Sequence, residues 1–225
     1  MAQTVVQICN TALARVGVSN FIDSLTEASQ EAQVCNLFYE QARDRVLRDT
    51  HWPFARGYLQ LSLVSQGTDT PWSAEWMYAY RYPTDGLNIW RILTPLGKRE
   101  TVLAPFEIGS DEIGRLIFTD MKDATVEYTK RVEDPARFDP AFASALSWLL
   151  AAEIAMPLSL VDGLRKQALQ MYQAEKDIAQ RVAANEGEPM RDIDTEFLNT
   201  RGYYSQTGSM AEQGLPIFPS GFTVS

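Results

Sequence analysis

The spacing of apolar residues changes twice along this chain. These two changes restrict the possible folds more than any other feature of the sequence. Over residues 4–55 apolar residues recur every three or four positions, which predicts two amphipathic helices. Over residues 56–134 they alternate every second position, as in half-buried strands. Helical spacing returns over residues 135–184. This order predicts an α+β fold, in which two N-terminal and two C-terminal helices form one bundle around a central, small antiparallel β module.

The first two helices should turn one apolar face each into this bundle. Gly17 is expected to end the first helix, because glycine adopts the left-handed conformation of a helix end without steric cost. Ser24 and Glu27 have the spacing of a capping box, which predicts that the second helix begins there. The predicted faces comprise Val5, Ile8, Cys9, Ala12, Leu13 and Val16 in the first helix, and Ala28, Ala32, Cys35, Tyr39, Ala42 and Val46 in the second.

The β module should contain several short strands. Pro83 and Gly86 predict a tight turn, in which proline presets φ and glycine supplies a positive φ. Residues 115–118 and 125–131 are expected to pair as a hairpin, and residues 101–107 predict a weaker strand. Two alternating sets predict one apolar and one aromatic strand face: Leu59, Leu61 and Leu63, then Trp76, Tyr78, Tyr80 and Tyr82.

The C-terminal helices differ in their surroundings. Asp139 and Pro140 predict a helix start, since the carboxylate can cap free N–H groups and proline needs no partner there. The apolar run 141–156 is short for a membrane span and contains Glu153, so a buried helix without membrane insertion is expected. The predicted buried face of the fourth helix comprises Val161, Leu164, Ala168, Met171, Glu175, Ile178 and Val182.

Residues 185–225 lose all periodicity but keep many apolar side chains. Such isolated apolar residues suit an extended arm that docks on another subunit or partner. The alternative is an unstructured chain end. The residues expected to bind a partner are Phe197, Tyr203, Tyr204, Ile217, Phe218 and Phe222 in this arm, with Trp76, Tyr78 and Tyr80 of the aromatic strand face.

Composition excludes some classes of function. A formal charge of −9 and a pI near 4.7 argue against a sequence-independent nucleic-acid binder, which needs a basic face. Cys9 and Cys35 lie on predicted apolar helix faces, which favours two buried thiols over a disulfide or a metal pair. No basic segment followed by an apolar run is found near the N-terminus, so no secretory signal is expected.

No catalytic motif is present, and no catalytic, metal or cofactor-binding residue is predicted. His51 is the single histidine, and a role at a helix C-terminus accounts for it. Glu153 could act as the general acid of a cell-wall hydrolase, because apolar surroundings raise a carboxyl pKa; pairing with an arginine of another helix is the alternative. The aromatic strand face could stack sugars or bases in a monomeric binding module, or be core or interface.

Several motifs together resemble one family. Residues 8–17, followed by Ile22 and residues 24–28, are similar to the start of the head–tail adaptor proteins of short-tailed bacteriophages, the tail tubular protein A family. The second helix ending at residues 52–55, the segment 76–87, and the buried helix near residues 145–155 with the long helix after it also fit the family's order. The resemblance covers about residues 4–183.

The resemblance implies a virion structural protein rather than an enzyme. It implies a ring, typically of twelve copies, that joins the portal to the tail nozzle at the capsid vertex, retains packaged DNA and forms part of the ejection conduit. The partners implied are further copies, the portal, the nozzle and tail fibres, with DNA passing through the lumen without specific binding. The protein would be made in the host bacterial cytoplasm.

Overall fold

The computed structural model describes residues 3–67, 75–94, 103–159, 161 and 163–187. It is α+β: the described residues form four helices and two small antiparallel sheets. The predicted arm lies outside the described residues from residue 188 onward. The helices are α1 (Val5–Arg15), α2 (Gln30–Asp49), α3 (Pro140–Leu158) and α4 (Leu164–Gly187). The strands are β1 (Arg56–Gln60), β2 (Leu63–Gln66), β3 (Tyr78–Arg81), β4 (Gly86–Leu93), β5 (Glu107–Ser110), β6 (Arg115–Thr119) and β7 (Thr125–Lys130).

The end of α1 is as predicted, but the start of α2 is not. Gly17 has a φ of +78° directly after the C-cap of α1. The second helix begins at Gln30, where the Ser29 hydroxyl accepts a hydrogen bond from the Ala32 N–H at 3.2 Å. The predicted start at Ser24 is wrong, because residues 25–29 form turns and bends, in which the Glu27 carboxylate accepts from the backbone N–H of Asp23 at 3.0 Å and from the Ser29 hydroxyl. Ser29 offers the same capping chemistry five residues later.

The predicted apolar faces of α1 and α2 pack against α3, except that Ala28 precedes α2 and is exposed. Helix α3 contacts α1, α2 and α4, and its Asp139 cap is present, with the Ala141 N–H donating to the carboxylate at 2.7 Å. Phe142 of α3 packs edge-on against Trp52 and Phe54 at ring-centre distances of 5.1 Å. Among the described residues, α3 alone is long and apolar enough to span a membrane, and 61% of its apolar window is buried inside the protein.

The side of helix α4 that is buried differs from the predicted one. Its buried stripe follows Ala168, Tyr172 and Ala179. The Tyr172 hydroxyl donates to the Asp49 carboxylate of α2 at 2.8 Å, and the alanines allow close approach to α3. Ala168 is buried as predicted, but the predicted burial of Val161, Met171, Ile178 and Val182 is wrong, and all four of these side chains are exposed. Periodicity alone favours neither stripe, since both have helical spacing.

The strands form two sheets with the orders β1-β7-β4 and β2-β3-β6-β5, and every pairing is antiparallel. The predicted hairpin of residues 115–118 with 125–131 is wrong, because β6 and β7 belong to different sheets. Residues 120–124 carry the chain from one sheet to the other. The buried Tyr80 hydroxyl donates to the Met121 carbonyl at 2.9 Å and so holds this crossing in place.

The predicted strand through Leu59, Leu61 and Leu63 is divided between the two sheets. Leu61 lies between β1 and β2, is 6% exposed, and its N–H donates to the Ala124 carbonyl at 2.8 Å. Leu59 and Leu63 are 41% and 52% exposed. The expected shared face is therefore wrong, because the chain changes sheets at Leu61.

The turn before β4 forms as predicted. The reason for a glycine at position 86, however, is close packing and not a positive φ. The Gly86 N–H donates to the Pro83 carbonyl at 3.0 Å. Gly86 is not among the described glycines with a positive φ. A Cβ there would lie 3.0 Å from the Tyr82 ring, so close packing is what favours glycine. The predicted strand at 101–107 lies partly outside the described residues, and the observed strand β5 begins at Glu107.

Candidate functional site

A β-bulge in β4 brings Arg91 to a group of charged side chains around Glu127. The pairing of β4 with β7 shifts register between Ile89 and Arg91. Ile89 and Ile92, three residues apart, both enter the β core, which regular alternation would not allow. Trp90 and Arg91 consequently both face the other side of the sheet.

On that side, Glu127 of β7 is buried among three potential cations. The side chain of Glu127 is 3% exposed. Arg91 donates from Nε to Glu127 Oε2 at 2.6 Å, and Arg56 Nε lies 3.2 Å from Oε1. His51 Nε2 lies 3.4 Å from the same Oε1. We call Glu127, Arg56, Arg91, His51 and Trp90 the Glu127 cluster.

His51 is held in this cluster mainly by an aromatic partner. Its ring stacks on Trp90, with centroids 4.5 Å apart and planes inclined by 15°, and the Trp90 indole donates to the Thr129 hydroxyl at 2.7 Å. Burial lowers the pKa of His51, and the charge of Arg56 lowers it further, against the opposing effect of Glu127. The predicted role at a helix end is wrong, since α2 ends at Asp49 and His51 contacts the sheet instead.

The Glu127 cluster connects elements that lie far apart in the sequence. Its members come from the α2–β1 connection, β1, β4 and β7. His51 Nε2 is buried, and no described group forms a hydrogen bond with it. The described part of the chain also contains no group of three His, Cys, Asp or Glu side chains that could hold a metal ion.

Glu153 pairs with an arginine of another helix, which is the alternative to a role as the general acid of a hydrolase. Its Oε1 lies 3.5 Å from Arg45 Nη1 of α2, and both side chains reach solvent. Helix α3 therefore pairs its only carboxylate with an arginine of another helix.

The predicted aromatic strand face is divided between core and surface. Tyr80 is 2% exposed and belongs to the core between the sheets, as the core alternative predicts. Tyr78 stacks on it at 6.1 Å and stays partly exposed. Trp76 is also partly exposed, and its indole donates to the Glu107 carboxylate at 3.1 Å. Phe197, Tyr203, Tyr204, Ile217, Phe218 and Phe222 lie outside the described residues.

Exposed apolar residues at the edges of the sheets were not predicted. Strand β2 forms one edge of the four-stranded sheet, and its Leu63 and Val64 are 52% and 42% exposed. Strand β5 forms the opposite edge, and its Ile108 is 41% exposed. We call these strands the β2 edge and the β5 edge. The only signal for the β2 edge in the sequence is the alternation of Leu59, Leu61 and Leu63, and that pattern predicts burial.

Neither models of known protein families nor curated proteins match this chain.

Proposed function

We propose that this protein is a head–tail adaptor of a short-tailed bacteriophage, a virion structural protein that assembles as a ring. The ring would join the portal to the tail nozzle, help to retain packaged DNA and form part of the ejection conduit. The observation that carries the proposal is the pair of edges on the four-stranded sheet: no other described strand pairs with them, and they expose Leu63 and Val64 on β2 and Ile108 on β5. Exposed strand edges pair readily with other chains unless they are blocked.

The directions of the two edges suit head-to-tail assembly. The sheet has an even number of strands and is antiparallel throughout, so the β2 edge and the β5 edge run in opposite directions. A β5 edge beside the β2 edge of the next copy would therefore continue the antiparallel pattern. Contacts between two different surfaces generate rings when the rotation between copies closes.

Charge and the remaining surfaces support the same role. A net charge of −9 would let DNA pass a lumen without adhering, because like charges repel. The four helices would form one bundle whose outer faces, including the exposed Met171, Ile178 and Val182, remain free for neighbours. The arm, which begins after the end of α4 at Gly187, would dock on the portal or on an adjacent copy.

Substituting the β2 edge tests the proposal. Wild-type protein should form rings that cap portal rings in electron micrographs. Leu63→Lys should weaken association by roughly tenfold or more, because a lysine on an edge strand opposes pairing. Leu103→Lys is the matched control, since Leu103 is 63% exposed and lies outside both edges.

Sedimentation velocity would measure the self-association of the wild type, of Leu63→Lys and of Leu103→Lys. Rings formed equally well by Leu63→Lys would rule out the β2 edge as the contact. A wild-type protein that stays monomeric with and without portal would contradict the adaptor function itself.

A further inference from the structure

The two cysteines of the chain lie on the buried sides of α1 and α2. Cys9 is in the second turn of α1 and Cys35 is in the second turn of α2, and both are 0% exposed within the helical core. Ala12 and Ala32, each one turn away on the same sides, are also 0% exposed. Because these side chains are small, α1 and α2 can approach closely, and the two helices are in contact.

The connection between α1 and α2 holds the two helices in place beside each other. Asn10 of α1 donates from Nδ2 to the Ile22 carbonyl at 2.9 Å and accepts from the Ile22 N–H at 2.9 Å. Ile22 is itself 1% exposed. Asn20 donates from Nδ2 to the Glu31 carboxylate of α2 at 3.1 Å. The positions of the two cysteines are therefore set by contacts that do not involve the thiols.

This packing brings the two thiols into direct contact. The Cys9 thiol donates a hydrogen bond to the Cys35 sulfur. That hydrogen bond raises the pKa of Cys9 and lowers the pKa of Cys35, although burial acts in the opposite direction on Cys35. Cys35 therefore ionises first, and its sulfur is the nucleophile of the pair.

Two adjacent thiols can join as a disulfide or contribute to a metal site. A structural zinc site needs four ligands, and the described residues contain no group of three His, Cys, Asp or Glu side chains that could hold a metal ion. A disulfide needs only the two sulfurs. It would close a loop from residue 9 to residue 35, and so lower the conformational entropy of the unfolded chain.

We propose that Cys9 and Cys35 form an intramolecular disulfide in an oxidising environment, and that this bond joins α1 covalently to α2. A reducing compartment keeps both residues as thiols, which is their state in this structure. The proposal concerns a single copy of the chain and does not depend on ring assembly.

Oxidised glutathione is a sufficient oxidant for this reaction. The Cys35 thiolate attacks one glutathione sulfur, which breaks the S–S bond of glutathione and releases one glutathione thiolate. The Cys9 thiolate then attacks the Cys35 sulfur and displaces the second glutathione thiolate. The two protein thiols are oxidised, glutathione disulfide is reduced, and the two cysteine protons pass to the released glutathiones. Since both protein sulfurs are buried, the oxidant reaches them during folding or local opening.

Equilibration of the full chain in glutathione redox buffers tests the proposal. One set of samples is refolded from urea into these buffers and a second set stays in concentrated urea, and mass spectrometry after alkylation gives the fraction with a disulfide. The effective concentration of the two thiols should be at least about thirtyfold higher in the folded chain, which corresponds to the lower end of typical disulfide stabilisation. An equal or lower value in the folded chain would overturn the proposal, because the native packing would then oppose the bond.

Urea unfolding connects the effect to these two sulfurs. The oxidised wild type should unfold at a higher urea concentration than the reduced wild type, since the bond restricts the unfolded chain. Cys9→Ala and Cys35→Ala are the matched controls, and each should unfold at the same urea concentration in oxidising and reducing buffer. The comparison is made within each variant, so any stability lost through the alanine itself does not affect it. A wild-type midpoint that stays constant or decreases on oxidation, or a disulfide that joins two copies on a non-reducing gel, would overturn the proposal.

Discussion

His51 shows how a single side chain acquires its chemistry from residues that are distant in sequence. Its ring contacts Trp90 and Glu127, which lie 39 and 76 positions further along the chain. The sequence offered only its local neighbours, which suggested a helix end. Its burial, its stacking and the lowered pKa all depend on the fold.

The pKa shift of His51 predicts a loss of stability in acid. Because the folded protein holds fewer protons on His51 than the unfolded chain, the free energy of unfolding should decrease as the pH falls through the usual histidine pKa. The decrease should end below the lower, folded-state pKa. Denaturant unfolding between about pH 7.5 and about pH 5 would measure it.

The chain has no other histidine, which makes the controls simple. His51→Gln should reduce the pH dependence over this interval, and His51→Phe should do the same while keeping a ring on Trp90. An unchanged pH dependence in both variants would show that His51 does not cause it.

Among the elements, helix α3 was predicted well because two independent signals agree. Asp139 and Pro140 mark its start, and its apolar residues surround the helix on all sides. The burial of Leu146, Leu149 and Leu150 follows from composition without knowledge of the neighbours. Helix α4 carried a weaker signal, because two stripes with helical spacing compete and a hydrogen bond to Asp49 favours one of them.

The central position of α3 predicts a large effect of side-chain truncation. Leu149→Ala should lower the free energy of unfolding by about 2–5 kcal/mol, since Leu149 is 0% exposed and the cavity left behind is not refilled. Met156→Ala, at a side chain that is 68% exposed on the same helix, should change it by no more than about 0.5 kcal/mol. Similar effects of both changes in urea unfolding would contradict the central role of α3.

The strands show what local pattern cannot provide. Their approximate positions were predicted from alternation, but pairing depends on partners that lie far away in sequence. Residues 115–131 looked like a hairpin because two short strands flank a turn, yet β6 pairs with β3 and β7 pairs with β1 and β4. The Glu127 cluster could not be predicted for the same reason, since it requires both that pairing and the bulge at Trp90.

At the scale of the whole molecule, contacts gather the chain into a unit spanning Met1–Gly187 and a second unit spanning Glu188–Ser225. The predicted change of character near residue 185 was based on lost periodicity and on glycine and proline content. Folding and partner binding should therefore be separable by truncation.

A chain ending at Gly187 should keep the stability of the full protein but lose affinity for portal. Its thermal midpoint should agree within about 3 °C, because a larger change would indicate stabilising contacts with the removed residues. Co-sedimentation with portal rings should decrease if the apolar residues of the arm, such as Phe197 and Phe218, make the contact. Undiminished co-sedimentation would contradict the predicted role of the arm.

The distribution of strands between the two sheets has a consequence for synthesis of the protein. Strand β7 is the last of the described strands and the central strand of its sheet, where it pairs with both β1 and β4. During translation, neither of those strands can pair with β7 until residues 125–130 have left the ribosome. The nascent chain must therefore keep β1 and β4 without this central partner through the synthesis of most of the β module, and the buried His51–Glu127 contact forms only at its end.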